Sequence, residues 1–125
     1  ESQIQVRGFS PFEKWPARFD NMARIAEQGV ARLGLGLEFK ASDFDNDDSQ
    51  VGERYGIPTP QGLEALRLLA RTEGILLDPV YTSKAMAGLI AHIKAGKLAE
   101  DRPVVFLHTG GSPAIFGYAP EVLGE

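Results

Sequence analysis

Short apolar runs alternate along this chain with amphipathic segments that begin at helix-capping residues and end at glycine. This alternation restricts the fold more than any other feature. The clearest case starts at Thr59, a typical N-cap before Pro60, after which leucines recur on one face until Gly74. The apolar run 75–77 follows directly and predicts a brief buried strand. Strands that alternate with helices indicate an α/β fold with a parallel sheet, because a helix is the usual connection between parallel strands.

The same alternation extends towards both ends of the chain. Further strands are predicted over residues 3–9, 35–39 and 104–108. Further helices are predicted from a capping box at Ser10–Glu13 to Gly34, and from Thr82 or Ser83 to Gly96. The stretch 41–54 is polar and acidic and is typical of a loop. The most apolar strand, 104–108, is of the kind that is buried on both faces of a parallel sheet.

The size and composition of the chain describe a soluble globular protein rather than a disordered one. Its 125 residues suffice for one domain with a modest core, and 43% of them are hydrophobic. Thirteen basic residues against 17 acidic ones give a net charge of -4, which argues against a nucleic-acid partner. No apolar run approaches the roughly 20 residues that span a bilayer, so no membrane partner is expected. The absence of cysteine excludes disulfides, thiolate metal sites and a cysteine nucleophile.

One acidic pattern imitates a metal-binding motif. Asp43, Asp45 and Asp47 are spaced like the opening of a calcium loop. However, Asp48 stands where that loop needs glycine, and Arg54 stands where it needs glutamate. We interpret the stretch as a solvated acidic loop. With two histidines and no cysteine in the chain, no metal site is expected.

Two segments place reactive side chains at the ends of predicted strands. In residues 77–84, the phenol of Tyr81 and the hydroxyl of Thr82 lie between a buried strand and a helix N-terminus, where α/β sheets commonly bind ligands. In residues 108–111, Thr109 precedes two glycines that permit close approach of the backbone. From the residues alone, a ligand site and an ordinary hydrogen-bonded turn remain alternatives for both segments.

Four stretches of the chain match one known family in order and in spacing. They are Tyr-Gly-Ile-Pro at 55–58, the run 64–81 that ends in Leu-Asp-Pro-Val-Tyr, Lys-Ala-Met-Ala-Gly-Leu-Ile at 84–90, and Phe-Leu-His-Thr-Gly-Gly at 106–111. The chain resembles the carboxyl-terminal portion of the pyridoxal-phosphate family that contains D-cysteine desulfhydrase and 1-aminocyclopropane-1-carboxylate deaminase. The resemblance implies the fold of the tryptophan synthase β subunit, in which two α/β domains close over the cofactor. This chain would supply part of a three-layer open parallel sheet with flanking helices.

The resemblance also implies that much of such an enzyme lies outside this sequence. Residues 1–125 correspond to the carboxyl-terminal part of the large, cofactor-binding domain. The lysine that forms the Schiff base with pyridoxal 5'-phosphate, and the glycine-rich phosphate loop, belong to sequence that would precede Gln3. The implied partners are a small amino-acid substrate, the remainder of the same chain and a second copy in a homodimer, in the cytoplasm. This chain alone is expected to be inactive.

Six residues fall on the site of that family by resemblance. Tyr55 and Tyr81 match its two active-site tyrosines, which flank the substrate. The positions implied to bind the cofactor are Thr109, Thr82, Gly110 and Gly111. Thr109 would lie beside the pyridine nitrogen, with Thr82 near it. Ser83 departs from a glycine that is common in the family at this place.

Thr82 and Thr109 indicate which reaction the resemblance implies. The deaminases carry glutamate and leucine at these positions, whereas the desulfhydrases carry a small hydroxyl residue and threonine. A neutral hydroxyl does not hold a proton on the pyridine nitrogen, and the weaker electron sink suffices when the substrate has its own leaving group at Cβ. The expected reaction is β-elimination from D-cysteine, which gives pyruvate, hydrogen sulfide and ammonia. The alternatives are an L-cysteate sulfo-lyase, a 1-aminocyclopropane-1-carboxylate deaminase and, from another class, a non-catalytic binding domain.

Overall fold

The structure is a computed structural model that describes residues 4–99 and 101–124. Those residues form β1 (Arg7–Phe9), α1 (Arg18–Leu33), β2 (Asp45–Asp47), α2 (Pro60–Glu73), α3 (Thr82–Lys94) and α4 (Ala119–Leu123). Two 3₁₀ helices cover Ala41–Asp43 and Ser112–Tyr118. Strands β1 and β2 pair in a two-stranded sheet.

The described residues divide into two compact groups. The first group comprises residues 4–8 and 14–46 and contains α1. In it, Arg7 contacts Asp45 at 2.7 Å, and the amide of Phe39 donates to the carboxylate of Glu27. The second group comprises residues 9–13, 47–99 and 101–124 and contains α2, α3 and α4. All six residues expected to form a site belong to the second group.

Helix α2 confirms the start and stop signals read from the sequence. The hydroxyl oxygen of Thr59 accepts a hydrogen bond from the amide of Gly62 at 3.0 Å, which satisfies one of the free amides at the helix start. Pro60 occupies the first helical position. Gly74 ends the helix with φ of 68°, a left-handed conformation that favours glycine. Local capping chemistry is therefore sufficient to place this helix.

The start predicted for the first helix is wrong, although its end is confirmed. Helix α1 begins at Arg18, and Gly34 follows its end with φ of 66°. The Ser10 hydroxyl oxygen does not cap the helix, because it accepts a hydrogen bond from the amide of Phe12 at 3.2 Å and closes a local turn. The amide of Ser10 donates to the carbonyl of Asp47 at 2.8 Å, which continues the backbone pairing beyond β1.

Three of the four predicted strands are not strands in the structure. Residues 35–39, 75–77 and 104–108 lie outside any strand. The first predicted strand, 3–9, begins outside the described residues, and of residues 4–9 only Arg7–Phe9 form a strand. The predicted acidic loop at 41–54 instead contains β2. Val105 is 88% exposed, which contradicts the burial expected for it. A strand exists only where a neighbour pairs with its backbone, and among the described residues these apolar runs have no such neighbour.

A small apolar core lies between α2 and α3 in the second group. Its buried members are Ala65, Leu66, Leu77, Met86 and Ala87. Gly88 of α3 permits close approach of an aromatic ring, because a Cβ atom at this position would lie 2.1 Å from the Phe9 ring. Within residues 4–99 and 101–124, no helix is long and apolar enough to cross a membrane.

Candidate functional site

Asp78 organises the turn that leads into α3. Its carboxylate is fully buried and accepts hydrogen bonds from the backbone amides of Val80 at 2.8 Å, Tyr81 at 2.7 Å and Thr82 at 2.7 Å. The hydroxyl of Thr82 donates to the same carboxylate at 2.7 Å and accepts from the Asp78 amide at 2.8 Å. The side chain that caps the helix is thus Asp78. The sequence-based prediction of Thr82 or Ser83 as the cap is wrong. The signal was present as an Asp-Pro pair directly before the helix.

The carboxyl of Asp78 is held in its ionised form. Burial opposes ionisation, but the hydrogen bonds from Thr82, Tyr81 and Val80 outweigh it, so the pKa of Asp78 lies below its ordinary value. The negative charge also lies at the N-terminus of α3, where the helix dipole favours an anion. The buried carboxylate of Asp78 therefore fixes the backbone of the turn that carries Tyr81.

The two tyrosines that the sequence singled out lie together. Their hydroxyl groups, on Tyr55 and Tyr81, form a short hydrogen bond in which either oxygen can be the donor. The two rings meet edge to face, with centroids 6.0 Å apart and an interplanar angle of 64°. Both side chains are exposed, at 42% for Tyr55 and 45% for Tyr81. The pair therefore leaves two phenol groups accessible to a ligand at the surface of the second group.

Two aromatic contacts fix the segment that carries Tyr55. The ring of Phe12 stacks on the ring of Tyr55 with centroids 4.3 Å apart and an interplanar angle of 2°. The hydroxyl of Tyr118 donates to the carbonyl of Gly56 at 2.8 Å. Sequence reasoning did not connect Phe12 or Tyr118 with this segment, because 43 and 62 residues separate them from their partners and no local pattern reports such distances.

The hydrogen bond between the phenols changes the acidity of one of them. The hydrogen bond with Tyr55 raises the pKa of the Tyr81 hydroxyl above its ordinary value of 10.0, and the negative charge of Asp78 acts in the same direction. Like an ordinary phenol, Tyr81 is protonated at neutral pH, and the upward shift of its pKa makes it a weaker acid.

The second expected segment is fixed by His108. Its Nε2 atom donates to the carbonyl of Leu76 at 2.9 Å, and its Nδ1 atom accepts from the amide of Gly110 at 3.0 Å. Because a carbonyl only accepts and an amide only donates, these bonds define the imidazole tautomer that carries its proton on Nε2. Ser112 also donates to the carbonyl of Leu76 at 3.0 Å. Thr109 lies inside this clamp.

The structure brings the two segments into contact at Asp78. Gly111 has φ of 87°, and a Cβ atom there would lie 2.9 Å from the Asp78 carboxyl carbon. Glycine is therefore required at this position for both conformation and space. Gly110 also has positive φ, 94°, but a Cβ atom there would meet nothing within 4 Å. The glycine pair thus faces the turn on one side and is open on the other.

The hydroxyl groups of the two threonines differ in availability. The hydroxyl of Thr82 is 2% exposed and fully engaged with Asp78. Thr109 is exposed, and no described residue forms a hydrogen bond with its hydroxyl. The neighbouring Ser83 is buried, and its hydroxyl likewise has no hydrogen-bond partner within the described part of the chain. Thr109 is therefore the threonine that is free to bind a ligand.

One apolar cavity of the second group lies away from the tyrosines. It has a volume of about 530 Å³ and is apolar, and its lining includes Leu66, Leu76, Phe116 and Val122. Neither Tyr55 nor Tyr81 lines it. Across residues 4–99 and 101–124, no group of three histidine or acidic side chains is placed to hold a metal ion. The hydrogen-bonded phenols with the adjacent Asp78 turn and glycine pair form the best supported candidate site.

The match to known proteins identifies the class of this chain. Residues 3–110 match the family described as pyridoxal-phosphate dependent enzyme, and the chain belongs to this family. Enzymes of this family use pyridoxal phosphate and act on small-molecule substrates. The family resemblance read from the four sequence stretches is confirmed.

Particular relatives narrow the comparison. The D-cysteine desulfhydrase of Yersinia pestis (strain Pestoides F) is 55% identical over 95 residues, which are 76% of this chain and 29% of that protein. The D-cysteine desulfhydrase of Yersinia enterocolitica serotype O:8 / biotype 1B is 50% identical over 88 residues, 70% of this chain and 27% of that protein. This chain therefore spans less than a third of the length of these curated relatives.

A solved structure supports the fold. The crystal structure of an ACC deaminase homologue superposes with a TM-score of 0.80 and 28% identity, over 94% of this chain and 34% of that chain. The α/β fold class expected from the alternation of apolar runs and helices is confirmed.

The candidate site fits one side of a pyridoxal phosphate site. A cofactor ring would need an open backbone surface and a hydrogen-bond partner for its nitrogen, and the open space at Gly110 and the exposed hydroxyl of Thr109 would suit both. Among the described lysines, Lys84 is buried and donates to the carbonyl of Val51, so it is not available to bond a cofactor.

Proposed function

We propose that this chain is part of a pyridoxal-phosphate dependent lyase that converts D-cysteine and water into pyruvate, hydrogen sulfide and ammonia. The observation that carries the proposal is the hydrogen-bonded pair of phenols, Tyr55 and Tyr81, presented by the buried turn at Asp78. The name D-cysteine desulfhydrase, borne by two relatives at 50% and 55% identity, supports the same reaction.

Tyr81 is proposed as the residue that protonates the departing sulfur. When bound, pyridoxal phosphate supplies an electron sink for the charge that develops at the substrate Cα. Cleavage of the Cβ–S bond leaves the electron pair on sulfur, and the protonated phenol of Tyr81 can donate to it. The position of the phenol supports this role, because it is exposed and hydrogen-bonded to a second phenol that can replace its proton. Its raised pKa makes Tyr81 a weaker acid than an ordinary phenol, so the role rests on this placement.

Tyr55 is proposed to hold the Tyr81 hydroxyl in place and to replace its proton. Because either oxygen of the pair can donate, a proton lost from Tyr81 can be supplied through Tyr55. The stacked ring of Phe12 restricts the orientation of Tyr55. Its exposed hydroxyl would also help to bind the polar groups of the amino-acid substrate.

Thr109, Gly110 and Gly111 are proposed to hold the cofactor ring. The hydroxyl of Thr109 would bond the pyridine nitrogen, and the glycine pair would permit close approach of the ring. Thr82 would contribute indirectly, because its hydroxyl is bonded to Asp78 and thereby fixes the turn beside Gly111. A neutral hydroxyl at the nitrogen favours elimination of a substituent at Cβ over the opening of a cyclopropane ring.

The rest of the functional assembly is proposed from the length of the relatives. The matches cover 27% and 29% of two D-cysteine desulfhydrases, which supports a chain that corresponds to only part of such an enzyme. From the family resemblance, we assign residues 1–125 to the carboxyl-terminal part of the large domain. The lysine that bonds the cofactor would belong to the remainder of the same enzyme, and this chain alone would be inactive. The exposed apolar run at 104–107 supports a covering partner. We further propose a cytoplasmic homodimer that binds neither nucleic acid nor membrane.

The proposal is tested with the complete enzyme that contains this sequence, loaded with pyridoxal phosphate. We expect sulfide and pyruvate from D-cysteine. Sulfite from L-cysteate, or 2-oxobutyrate from 1-aminocyclopropane-1-carboxylate, in place of sulfide would overturn the D-cysteine assignment. Release of none of these products would leave a non-catalytic binding domain as the interpretation.

Variants then test the assigned residues. Tyr81→Phe is expected to lower kcat for sulfide release by about 100-fold or more, because the proton donor is lost. Thr109→Ala is expected to weaken cofactor binding, whereas Thr72→Ala on the exposed face of α2 serves as the matched control. A Tyr81→Phe enzyme with unchanged kcat would remove Tyr81 from the reaction.

A further inference from the structure

Lys84 is a buried cation for which the proposed reaction has no use. Its side chain is 1% exposed, and its Nζ atom donates to the carbonyl oxygen of Val51 at 2.7 Å. No carboxylate among the described residues forms an ion pair with it. Burial lowers the pKa of Lys84, and the charge of Glu13 partly opposes that effect.

The position of Lys84 in the helix makes its retention costly. It is the third residue of α3, and a cation in the first turn of a helix is disfavoured by the helix dipole. Burial of a charge without an opposite charge beside it is unfavourable as well. Because the helix dipole and burial both disfavour the Lys84 charge, we expect its hydrogen bond to the carbonyl of Val51 to have a structural role that offsets these costs.

The acceptor of this hydrogen bond begins the segment that carries Tyr55. Val51 is 6% exposed and lies four residues before Tyr55. The next residue, Gly52, has φ of 76°, and a Cβ atom there would lie 2.4 Å from the methyl group of Thr59. The start of the segment is therefore packed closely against Thr59, the cap of α2. Lys84 donates a hydrogen bond to the same part of the segment, at the carbonyl of Val51.

The donor of this hydrogen bond belongs to the helix that presents Tyr81. Tyr81 is the N-cap residue of α3, three residues before Lys84. The stem of Lys84 passes close to Gly62 on α2, where a Cβ atom would lie 3.7 Å from its Cγ atom. A single side chain thus joins the start of the Tyr55 segment to the first turn of the Tyr81 helix, across 33 residues of sequence.

We propose that Lys84 is a positioning residue that sets the hydroxyl of Tyr55 against the hydroxyl of Tyr81. The inference rests on the proposed function for its effect on catalysis, but its structural part concerns this chain alone. Loss of the Lys84 ammonium leaves the carbonyl of Val51 without its buried donor, so the segment 51–55 relaxes and the phenols separate.

The test replaces the donor while keeping the length of the side chain. Lys84→Met removes the hydrogen bond, Lys84→Arg keeps a donor, and Lys94→Met on the exposed end of α3 is the matched control. The first readout is the ionisation of Tyr81, followed by the ultraviolet absorbance of tyrosinate as the difference between each protein and its Tyr81→Phe counterpart. We expect Lys84→Met to ionise Tyr81 at lower pH than the parent, and Lys94→Met to leave it unchanged.

The second readout is the rate of sulfide release. We expect Lys84→Met to lower kcat by about 10- to 100-fold with a smaller change in KM, because misplacement affects the reacting groups more than substrate binding. Lys84→Arg should recover part of that loss. An enzyme in which Lys84→Met leaves both the Tyr81 ionisation and kcat as in the parent would overturn the inference.

A second variant, Gly52→Ala, tests the same segment independently of Lys84. If Lys84→Met does not fold, Gly52→Ala perturbs the same segment from its other side, because its new Cβ atom would collide with Thr59. An unchanged Tyr81 ionisation in Gly52→Ala would then overturn the inference, and a shift to lower pH would support it. The tyrosine titration needs no substrate, so the positioning role can fail while the lyase activity stands, or stand while no sulfide is released.

Discussion

The Nε2 atom of His92 on α3 lies 2.6 Å from the Oδ2 atom of Asp47 at the end of β2. The other carboxylate oxygen of Asp47 accepts from the amide of Ser49 at 2.7 Å. Burial opposes the ionisation of Asp47, but the bonds from Ser49 and His92 favour it more strongly, and the pKa falls from 3.8 to about 2. The ring of Phe9 covers the imidazole edge to face at 5.7 Å. A partly buried hydrogen bond between His92 and Asp47 therefore links the beginning of the 47–59 segment to α3.

The lowered pKa of Asp47 predicts a specific acid sensitivity. Because the folded-state pKa is about 2 and the ordinary value is 3.8, the ionised carboxylate contributes stability above about pH 4 that is lost as the pH falls towards 2. We expect that loss to be about 1–2 kcal/mol. The melting temperature of the enzyme, measured between pH 5 and pH 2, should fall more steeply in the parent than in Asp47→Asn. Parallel curves would contradict the prediction, and Asp101→Asn at an exposed position is the control.

Ser83→Ala is expected to stabilise the protein. The hydroxyl of Ser83 is fully buried between α2 and α3 and has no hydrogen-bond partner among the described residues. A buried hydroxyl without a partner costs about 1–3 kcal/mol, and alanine removes it while keeping the Cβ atom. The melting temperature should rise in Ser83→Ala and stay constant in Ser42→Ala, where the hydroxyl is exposed. A lower melting temperature for Ser83→Ala would mean that the hydroxyl has a partner.

Asp78→Ala is expected to loosen the turn that presents Tyr81. The substitution removes the acceptor of three backbone amides, at Val80, Tyr81 and Thr82, and of the Thr82 hydroxyl. Each buried donor left without a partner costs about 1–3 kcal/mol, so the total should exceed about 2 kcal/mol. Hydrogen exchange at these three amides should accelerate relative to the amides in the middle of α3. Unchanged protection of the three amides would show that another group caps the helix.

The limits of sequence reasoning in this chain follow from the range of each interaction. Helix α2 was predictable because its cap, its proline and its terminal glycine all act within a few residues of the helix ends. Ser10 has the same local signature, but its hydroxyl serves a turn at Phe12, and the backbone pairing of Ser10 with Asp47 is invisible in the local sequence. The run 104–108 has the composition of a buried strand, yet composition does not supply the neighbouring strand that pairs with it.

The candidate site shows the same division. Tyr55 and Tyr81 were expected together only through family resemblance, because neither periodicity nor capping relates residues in two different loops. The structure adds the physical connections: Asp78 caps the helix start, Phe12 stacks on Tyr55, and Lys84 reaches Val51. Each is a long-range or buried polar contact, which sequence patterns do not report.

His108→Phe is expected to weaken cofactor binding without removing a group that touches the cofactor. The imidazole donates to the carbonyl of Leu76 and accepts from the amide of Gly110, so it clamps Thr109 from both sides. Phenylalanine keeps a ring but makes neither bond, and loss of two bonds of about 1 kcal/mol each corresponds to an approximately 10-fold or greater loss of affinity. Titration of the cofactor-free enzyme with pyridoxal phosphate, followed by fluorescence, measures the change. Ser112→Ala removes only a second donor to Leu76 and leaves Gly110 bonded, so it should have a smaller effect. Equal affinities for His108→Phe and the parent would show that Thr109 keeps its position without the clamp.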